Sequence, residues 1–457
     1  MSARFTLAEI VEATGGKVVR GKSEQQSCEG VSTDTRALLP GALFVALAGE
    51  SFDAHDFLAD ALQAGAAALV VQREEAVPEN VSIPVVLVSD TRKALQDLAR
   101  FHRLRFAIPV IAVTGSNGKT STKDMVAAAL GARFNVLKTK GNFNNEIGLP
   151  LTLLSLEACH EAAVVEMGMR GLGQIKELAD IARPTQGIVT NVGETHLELL
   201  GSVANIAKAK AELVQALPSE GIAVLNQDDA LVRSMAVHAS CRVVSYGLSE
   251  KADVWAEDVH YSAQGIHYVC RYKDERQVME IPAVGVHNVY NSLAAIAIAR
   301  EVADLSLADI AAALRRYEPS GMRFEFEQTP RYLLVNDAYN ASPLSMRAAI
   351  DTVAAIAQGR VVAVLGDMLE LGDAAIEAHR AIGIHLVNSG IRHVVTVGPL
   401  AGYIAEAARL AGAEIALACN DHGEAQYALR SILRKGDTVL VKGSRGMHME
   451  AILERLR

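Results

Sequence analysis

The chain has few cysteines, no long apolar run and no surplus of positive charge, and each absence excludes a class of protein. Its five cysteines are scattered and form no Cys-x-x-Cys pair, which is typical of reduced thiols and not of a disulfide framework. A net charge of −9 argues against a nucleic-acid binder. No apolar run reaches the ~18 residues of a membrane span, and the opening residues lack a signal-peptide stretch. We therefore expect a cytoplasmic protein with no membrane insertion and no nucleic-acid partner.

The order of apolar segments along the 457 residues predicts an α/β protein of about three domains. Short runs of valine, isoleucine and leucine alternate with helical segments, which is typical of parallel sheets covered by helices on both faces. We predict an N-terminal α/β domain over 1–85, a central domain over 86–318 and a C-terminal doubly wound domain over 319–457. The alternating segment 261–281 predicts an antiparallel addition to the central sheet. No exposed heptad pattern is present, so we expect a monomer.

The most informative feature of the chain is a candidate phosphate-binding loop between a β-branched run, Val110–Val113, and a helical segment. Glycines in such a loop let backbone N–H groups approach an anion, and the helix N-terminus adds partial positive charge. A lysine reaches the β- and γ-phosphates, and the next threonine supplies a hydroxyl for Mg²⁺. Val113 stands where a strict Gly-x-x-x-x-Gly-Lys-Ser/Thr pattern has its first glycine, so an ordinary strand–turn–helix junction is the alternative. The predicted nucleotide-binding residues are Thr114, Gly115, Ser116, Asn117, Gly118, Lys119 and Thr120.

Two further runs end in polar side chains where a parallel sheet binds its ligands, at the carboxyl ends of the strands. Glu166 follows the run 162–165 and is expected to hold Mg²⁺ opposite Thr120, because Mg²⁺ prefers oxygen ligands. An exposed strand-end carboxylate is the alternative. His196 ends the cluster 191–196 and is a candidate contact for a second cation or a phosphoryl oxygen. A lone histidine is more often a structural hydrogen-bonder, and Mg²⁺ seldom prefers nitrogen.

Lys210 completes an apolar stripe on the predicted helix 203–217, whereas Lys208 lies off the stripe. A lysine on a buried face loses hydration, which lowers its pKa and favours the neutral amine. A neutral amine can react with CO₂ to form a carbamate, in effect a new carboxylate. A lysine whose charged end reaches back to solvent is the alternative.

Other polar residues have both a functional and a structural interpretation. The amide-rich run 141–146 contains Asn142 and Asn145, and such runs often form turns. Asn288 stands at the start of a predicted helix, where an N-cap is the simpler interpretation. In the third domain, Arg323 and the run 336–343 could grip ribose, base or phosphate, or form a capped turn before a helix.

Together these residues resemble the Mur ligase family across nearly the whole chain. The motifs that carry the resemblance are 114–120, Glu166, 191–196, Lys210, His287 with Asn288, Arg323 and 337–343. Within the family, 32–36, 365–373 and 441–447 resemble the ligase that adds a D-alanyl-D-alanine dipeptide. An Asp-Asn-Pro-Arg motif, typical of the family member that adds the preceding amino acid, is absent from the sequence.

The resemblance implies a reaction and an assignment of the three domains. The first domain would bind the UDP end of the substrate, the middle one ATP, and the last would close over the site. ATP would phosphorylate the free carboxylate of UDP-N-acetylmuramoyl-tripeptide, and the amine of D-alanyl-D-alanine would then displace phosphate. This reaction is the last cytoplasmic step in assembling the peptide of the peptidoglycan precursor.

The resemblance also implies site residues and cofactors, namely ATP and two Mg²⁺ ions. One ion would lie on Thr120 and Glu166, and a second near His196 and a carbamylated Lys210. The residues implied as catalytic are Lys119, Glu166, His196 and Lys210. The residues implied to contact the nucleotide outside the loop are Asn288, Arg323, Asp337 and Asn340. The residues implied to bind the other substrate are Ser32, Asp34, Arg36, Asn142 and Asn145.

Three other functions remain open at this point. Folylpolyglutamate synthase uses the same acyl-phosphate logic, but its loop usually has glycine after the lysine, where Thr120 stands here, and it lacks the N-terminal domain. A P-loop switch or transport ATPase would usually show a guanine motif or an aspartate at the position of Glu166. An inactive scaffold is disfavoured by the intact set of polar residues. Phosphate release without an amine acceptor would favour the ATPase interpretation.

Overall fold

The computed structural model describes residues 3–21, 27–49, 52–262, 265–319 and 321–457, with Tyr261 described by its backbone alone. Within these residues, three large sheets follow one another along the chain, each flanked by helices. Parallel pairs predominate in all three sheets, which confirms the predicted α/β class.

The N-terminal part of the described chain forms a small sheet and an antiparallel strand pair. Its elements are β1 (Arg4–Thr6), α1 (Leu7–Thr14), β2 (Lys17–Arg20), β3 (Ser27–Glu29), β4 (Val31–Ser32), β5 (Leu43–Val45), α2 (Leu58–Gln63), β6 (Ala68–Val71), β7 (Val85–Leu87) and α3 (Thr91–Arg103). The sheet order is β2-β7-β6-β5-β4, and β1 pairs with β3. Because β7 pairs with β6, it belongs to this sheet, although the predicted boundary falls after its first residue.

The central part of the chain forms the largest sheet, in the order β16-β15-β14-β13-β12-β11-β8-β10-β9 over the described residues. Its strands are β8 (Val110–Thr114), β9 (Val136–Lys138), β10 (Ala162–Glu166), β11 (Gln186–Val189), β12 (Ile222–Asn226), β13 (Arg242–Gly247), β14 (Val254–Ser262), β15 (Gly265–Tyr272) and β16 (Glu275–Ile281). Its helices are α4 (Lys119–Leu130), α5 (Gly148–Leu153), α6 (Gln174–Ala182), α7 (Leu197–Leu200), α8 (Val203–Ala216), α9 (Ala230–Ser234), α10 (Val286–Ala303) and α11 (Leu307–Leu314). The last three strands pair antiparallel, which confirms the predicted addition, but it begins at Val254.

The C-terminal part forms a sheet in the order β17-β18-β22-β19-β20-β21, with β17 antiparallel at its edge. Its strands are β17 (Glu325–Gln328), β18 (Leu333–Asp337), β19 (Val361–Gly366), β20 (His393–Val397), β21 (Ile415–Cys419) and β22 (Thr438–Lys442). Its helices are α12 (Pro343–Ile356), α13 (Ala375–Asn388), α14 (Gly402–Leu410), α15 (His422–Ile432) and α16 (Glu450–Leu453).

Strand β8 lies between β10 and β11, so the carboxyl ends of three parallel strands meet at one edge of the central sheet. Alternate residues of β8 enter two different cores: Ile111 and Val113 pack under α4 and α10, whereas Val110 and Ala112 pack towards α3. A strand buried on both faces is held firmly. The loop that follows β8 is therefore carried on a rigid base, at the edge where α/β sheets bind ligands.

Candidate active site

The loop after β8 requires glycine at two positions. Gly115 has a φ of +153°, and a Cβ there would lie 1.8 Å from Oγ1 of Thr190. Gly118 has a φ of +82° and precedes α4, and a Cβ there would lie 2.6 Å from Oδ1 of Asn291. Both glycines are therefore required by close packing as well as by backbone conformation.

The segment after β11 braces this loop through hydrogen bonds. The backbone N–H of Asn117 donates to Oδ1 of Asn191 over 2.9 Å, and Oγ1 of Thr190 donates to the carbonyl of Asn117 over 2.6 Å. The N–H of Gly193 donates to Oγ of Ser116 over 2.8 Å. The side chain of Thr114 donates to the carbonyl of Met167, after β10. The loop therefore has a defined shape that does not depend on a bound ligand.

Two donor groups of the loop can serve an anion, one of them unpaired and the other held on carbonyls of the loop. Nδ2 of Asn117 is buried and has no hydrogen-bond partner among the described residues. Nζ of Lys119 turns back onto the carbonyls of Gly115, at 2.8 Å, and Ser116, at 3.3 Å. Burial lowers the pKa of Lys119, and the charge of Glu166 opposes that effect. An unpaired buried donor is costly, so this cradle fits the phosphate chain of a nucleotide.

The predicted pair of oxygen ligands meets beside the lysine. Oγ1 of Thr120 donates to Oε2 of Glu166 over 2.8 Å, and Nδ2 of Asn144 donates to Oε1 of the same carboxylate, also over 2.8 Å. Glu166 is 2 % exposed, so it is not the exposed strand-end residue of the alternative interpretation. No group of three or more histidine, cysteine, aspartate or glutamate side chains with metal-binding geometry occurs in the described residues. A hydroxyl and one carboxylate suit Mg²⁺, which keeps waters and substrate phosphates among its ligands.

Lys210 lies on the buried face of α8, as the stripe predicts, and only 2 % of its surface is exposed. Lys208 is exposed, which agrees with its position off the stripe. Burial, reinforced by the nearby charge of Lys119, lowers the pKa of Lys210 far below its usual value. The amine is therefore held in an environment that favours its neutral form, which makes it nucleophilic towards CO₂.

His196 lies between the central and C-terminal parts of the chain. Its Nδ1 is 2.5 Å from Oε2 of Glu370, but the oxygen lies off the direction of a ring N–H, so the contact is a close polar approach without an aligned hydrogen bond. Burial lowers the pKa of His196 more than the carboxylate of Glu370 raises it, and Lys119 adds to the lowering. The histidine and the phosphate loop therefore share one electrostatic environment.

A cavity of about 270 Å³ adjoins the loop. It lies between α10 and the segment that enters β17, and its lining residues include Ser121, Asn288, Tyr317, Arg323 and Phe324. Its size and aromatic walls fit a planar base. A larger surface groove of about 460 Å³, lined by residues of α6 and α8, lies beside Thr185, before β11. That groove is at the opposite edge of the sheet from the phosphate loop.

Asn288 is the third residue of α10 and does not cap it, so the N-cap interpretation is wrong. Its Nδ2 donates to the carbonyl of Val284 over 2.9 Å, and its Oδ1 accepts from Nδ2 of Asn291 over 2.9 Å. Oδ1 of Asn291 in turn accepts from Thr122 of α4 over 3.0 Å. The helix α10 thus connects the base cavity to the phosphate loop through two asparagines.

The C-terminal part contributes several polar side chains to the same place. Nη2 of Arg323 donates to Oγ1 of Thr120 over 2.9 Å, and its guanidinium lies 3.9 Å from the ring centre of Tyr339. Buried Lys442 donates to Oδ2 of Asp337 over 2.6 Å and to the carbonyl of Asn340 over 2.8 Å. These contacts bring Arg323, Asp337 and Asn340 together at the interface between the two parts.

The run 336–343 does form a capped turn before a helix, and the residue that caps the helix is Ser342. Oγ of Ser342 accepts from the N–H of Ser345 at the start of α12, and the Ser345 side chain accepts from the N–H of Ser342. The same Ser342 hydroxyl donates to Oδ1 of Asn117, in the phosphate loop, over 3.1 Å. One residue therefore caps a helix and touches the loop.

The predicted substrate-binding residues are placed in two groups. In the amide-rich run, Asn145 caps the turn into α5 by accepting from the N–H of Gly148 over 2.9 Å, and Asn142 is exposed. It is Asn144 that reaches Glu166.

After β4, the guanidinium of Arg36 pairs with Asp34 at 2.7 Å and lowers the pKa of that carboxyl to about 2. Oγ of Ser32 donates to the carbonyl of Asp34 over 2.9 Å. This second group lies far along the chain from the phosphate loop.

Four residues at the site were missed from the sequence: Asn144, Asn291, Glu370 and Lys442. Asn291 stands three residues after Asn288, so the spacing of one helical face signals it. Lys442 interrupts the apolar run 439–441, which is a signal of a buried charge. Glu370 lies in the run 365–373 that carries part of the resemblance, but no local signal predicts its contact, because His196 is 174 residues away in the chain.

Comparison with protein families identifies three matching regions. Residues 113–299 match the Mur ligase middle domain, and residues 322–445 match the Mur ligase, glutamate ligase domain. Residues 27–103 match the Mur ligase family, catalytic domain. The three matched regions lie in the N-terminal, central and C-terminal parts described above.

Individual relatives match over nearly the whole length. The chain is 40% identical over 455 residues to UDP-N-acetylmuramoyl-tripeptide–D-alanyl-D-alanine ligase of Bacillus subtilis, which covers 99% of this chain and 98% of the relative. A crystal structure of MurF from Acinetobacter baumannii matches with a TM-score of 0.92 and 32% identity, over 100% of this chain and 99% of that one. MurF from Thermotoga maritima in complex with ADP matches with a TM-score of 0.83 and 29% identity, over 93% and 96%.

Proposed function

The chain belongs to the Mur ligase family, and from this premise we infer that it is an ATP-dependent ligase joining D-alanyl-D-alanine to UDP-N-acetylmuramoyl-tripeptide. The observation that supports this conclusion is a candidate phosphate-binding loop, with Thr120 paired to Glu166, in a chain that matches such ligases over 99% of its length. No helix among the described residues has the length and apolar character needed to cross a bilayer. We propose that the reaction takes place in the cytoplasm, where ATP and reduced thiols are available.

The chemistry requires activation of a carboxylate, which is a poor electrophile. Transfer of the γ-phosphoryl group of ATP to the tripeptide carboxylate forms an acyl phosphate and ADP. The dipeptide amine then attacks the acyl carbon, the C–O bond to phosphate breaks, and phosphate leaves with the amide formed. Phosphoryl transfer depends mainly on positioning and neutralisation of charge. Lys119 and the loop N–H groups supply both at the phosphates.

Mg²⁺ fits the oxygen donors beside the loop. Thr120 and Glu166 would hold one ion, with Asn144 fixing the orientation of the Glu166 carboxylate. A second ion would lie near His196 and a modified Lys210. Bound Mg²⁺ supplies neutralisation of the charge on the phosphoryl oxygens. Arg323, which donates to Thr120 in this structure, is positioned to move onto the nucleotide.

We propose that Lys210 carries a carbamate. The neutral amine attacks CO₂, an N–C bond forms, and one proton is lost to solvent, which leaves an anionic carboxylate on nitrogen. Burial that disfavours the ammonium form supports this step, because only the neutral amine has a free lone pair. The modification places an anion near Lys119, whose positive charge would stabilise it.

We propose that the remaining predicted residues bind the substrates. Asn288 and the cavity beside it would take the adenine, with Arg323 and Asp337 on the phosphate and ribose side. Ser32, Asp34 and Arg36 lie together at the carboxyl end of β4. A uridine nucleotide bound there would replace the contacts that these side chains make with one another. Asn142, which is exposed, stays a candidate for the peptide part of the substrate.

The test is phosphate release from ATP and Mg²⁺ with UDP-N-acetylmuramoyl-tripeptide and D-alanyl-D-alanine, leaving out one component at a time. We expect release to require both acceptor substrates and the product to have the mass of the UDP-pentapeptide. Release without the dipeptide would indicate an ATPase, and release with a folate and glutamate would indicate the other ligase class. Lys119→Ala should abolish release in every mixture.

A further inference from the structure

Glu370 is a charged contact between the two parts of the active site that the proposed reaction does not yet use. It lies in the segment after β19 and reaches His196 across the interface, with 2.5 Å between Oε2 and Nδ1. Its backbone carbonyl accepts from the N–H of Glu198, at the start of α7, over 3.3 Å. The other carboxylate oxygen, Oε1, is 3.8 Å from Nη2 of Arg170. The side chain and the backbone therefore both dock on the central part.

The three residues before Glu370 are anchored within the C-terminal part. Asp367 is buried, its Oδ1 accepts from the N–H of Ala401 over 2.6 Å, and its carbonyl accepts from the N–H of Ser444. The N–H of Met368 donates to Nε2 of His379 over 2.9 Å. The N–H of Leu369 donates to Oγ of Ser444 over 2.9 Å. The position of Glu370 thus follows the C-terminal sheet as a rigid attachment.

Both partners of the contact have left-handed backbone conformations. The φ of His196 is +55° and that of Glu370 is +63°. A non-glycine residue in this region costs about 1–2 kcal/mol, and such strain collects where the surrounding structure requires it. The strain on both sides of one interface indicates that the backbone is shaped to bring these two side chains together.

We propose that Glu370 is a positioning residue that orients the His196 ring when the C-terminal part docks on the central part. The proposal rests on the proposed function, because His196 acts there at the phosphoryl-transfer site. A carboxylate against one ring nitrogen leaves the other nitrogen to face the reacting phosphoryl oxygens or their metal ion. His196 is then ready only in the docked arrangement, so acyl-phosphate formation is coupled to docking.

The experiment compares Glu370→Ala and Glu370→Gln with Glu377→Gln, which removes an exposed carboxylate of the same domain on α13. Acyl-phosphate formation is measured alone, without the dipeptide, by trapping the acyl group with hydroxylamine. We expect the Ala variant to lose about 10–100-fold in kcat for trapping, as outer-shell partners usually do. The KM for ATP should stay within about twofold, since the phosphate loop is intact. Gln should recover part of the loss, because its amide oxygen can still contact the ring.

A second readout uses the protein without substrates or metal. The ring nitrogens of His196 are observed by NMR of histidine-labelled protein, with the signal assigned through His196→Asn. Glu370→Ala should shift the His196 signals, whereas Glu377→Gln should leave them in place. Melting temperatures of all variants check that each one folds.

Three results would overturn the proposal. The first is trapping by Glu370→Ala that equals that of the Glu377→Gln control. The second is unchanged His196 ring signals. The third is a rise in the KM for D-alanyl-D-alanine alone, which would make Glu370 a contact for the incoming amine. Wild-type protein that traps no acyl group from the tripeptide would contradict the proposed function, and the NMR comparison would still test the contact.

Discussion

At the scale of single residues, three lysines of the active site behave differently because their partners differ. Lys442 is neutralised by Asp337, and Lys119 turns onto carbonyl oxygens of the loop it serves. Lys210 has the charge of Lys119 nearby, and among the described residues no carboxylate opposes the lowering of its pKa. A buried ammonium without an anion is costly. The structure therefore distinguishes Lys210 as the lysine held towards its neutral form, which is the form that the proposed carbamate requires.

Removal of Lys210 tests the carbamate at this scale. Lys210→Ala should lower ligase activity by about 10²–10³-fold, the size of effect seen when one electrostatic group is removed from an active site. Short carboxylic acids added to the assay should restore part of the activity, because they can enter the vacated space and replace the carbamate oxygens. The measurement is kcat as a function of the concentration of formate, acetate or propionate.

Lys208→Ala is the matched control for this experiment. Lys208 lies on the same helix but is exposed, so its loss should leave activity within about twofold and give no response to carboxylic acids. A Lys210→Ala enzyme with near-normal activity would rule out the carbamate. So would a loss of activity that no small acid relieves while the nucleotide still binds.

At the scale of elements, the strand–loop–helix unit β8–α4 explains why the phosphate site can be recognised from a short stretch of sequence. Its strand, its glycines and the start of its helix are neighbours in the chain. The bracing contacts from Thr190 and Asn191 come from the segment after β11 and were not visible in the sequence as contacts. Local chemistry therefore predicts the loop, and the sheet order decides what holds it.

Gly118→Ala should weaken nucleotide binding. The new Cβ would meet Oδ1 of Asn291 and occupy a left-handed conformation, with strain of about 1–2 kcal/mol. We expect a loss of up to about tenfold in ADP affinity by calorimetry. Gly402→Ala is the control, since no atom lies within 4 Å of its Cβ position and it begins a helix. The Gly402→Ala variant should bind ADP with the affinity of the wild type. Equal ADP affinities for the two variants would show that the loop tolerates the methyl group.

The environment of His379, which contacts the segment that carries Glu370, predicts that the free energy of unfolding depends on pH. Its Nε2 accepts from Met368 and its Nδ1 donates to the carbonyl of Ala375, so the ring must be neutral. Burial lowers the pKa of His379, partly opposed by its bond to Ala375 and by Asp367. The unfolded chain therefore binds more protons below about pH 6.5, and stability falls as the pH falls.

We expect the His379 contribution to decline by up to about 1.4 kcal/mol per pH unit below pH 6.5. The measurement is the free energy of unfolding in urea at pH 7.0, 6.0 and 5.5. His379→Gln should show a smaller decline than the wild type, although it starts less stable. His238→Gln, which alters an exposed histidine, should retain the wild-type slope. A His379→Gln slope equal to that of the wild type would contradict the assignment.

At the scale of the whole molecule, one apolar core spans the N-terminal and central parts, whereas the C-terminal part has cores of its own. One cluster runs from Phe5 and Val86 through Leu98 to Val110 and Leu213. The C-terminal sheet has its own apolar clusters on both faces, and Val284 of the central part packs into one of them. Contacts at the active-site interface are mainly polar, such as Arg323 with Thr120. The C-terminal part should therefore move as a separate body.

Calorimetric unfolding tests this division. We expect two transitions, one for the N-terminal and central parts together and one for the C-terminal part. A non-hydrolysable ATP analogue with Mg²⁺ should raise both transition temperatures and bring them closer, because in the proposed function it contacts both bodies. At a hundred times its Kd, a ligand stabilises the folded state by about 2.7 kcal/mol. Lys119→Ala should show no such shift. One transition without nucleotide would contradict the separation.

How much of the site the sequence predicts depends on the distance over which each residue acts. The loop 114–120, Glu166 and buried Lys210 could be predicted, because strand ends and helix faces follow from local patterns. The interpretation of Asn288 as an N-cap was wrong because the helix begins at Val286. The sequence singles out Asn142 and Asn145, whereas Asn144 contacts Glu166, because no local pattern shows which amide of a turn faces inwards.

The amino-acid sequence by itself determined the class of fold, the phosphate loop and the order of polar strand ends, because these depend on residues a few positions apart. Only the tertiary structure decided which polar groups meet. Glu370 reaches His196, and Arg323 reaches Thr120, from positions 174 and 203 residues away in the chain. The physical reason is that packing of two separate sheets, and not any local preference, brings their carboxyl edges face to face.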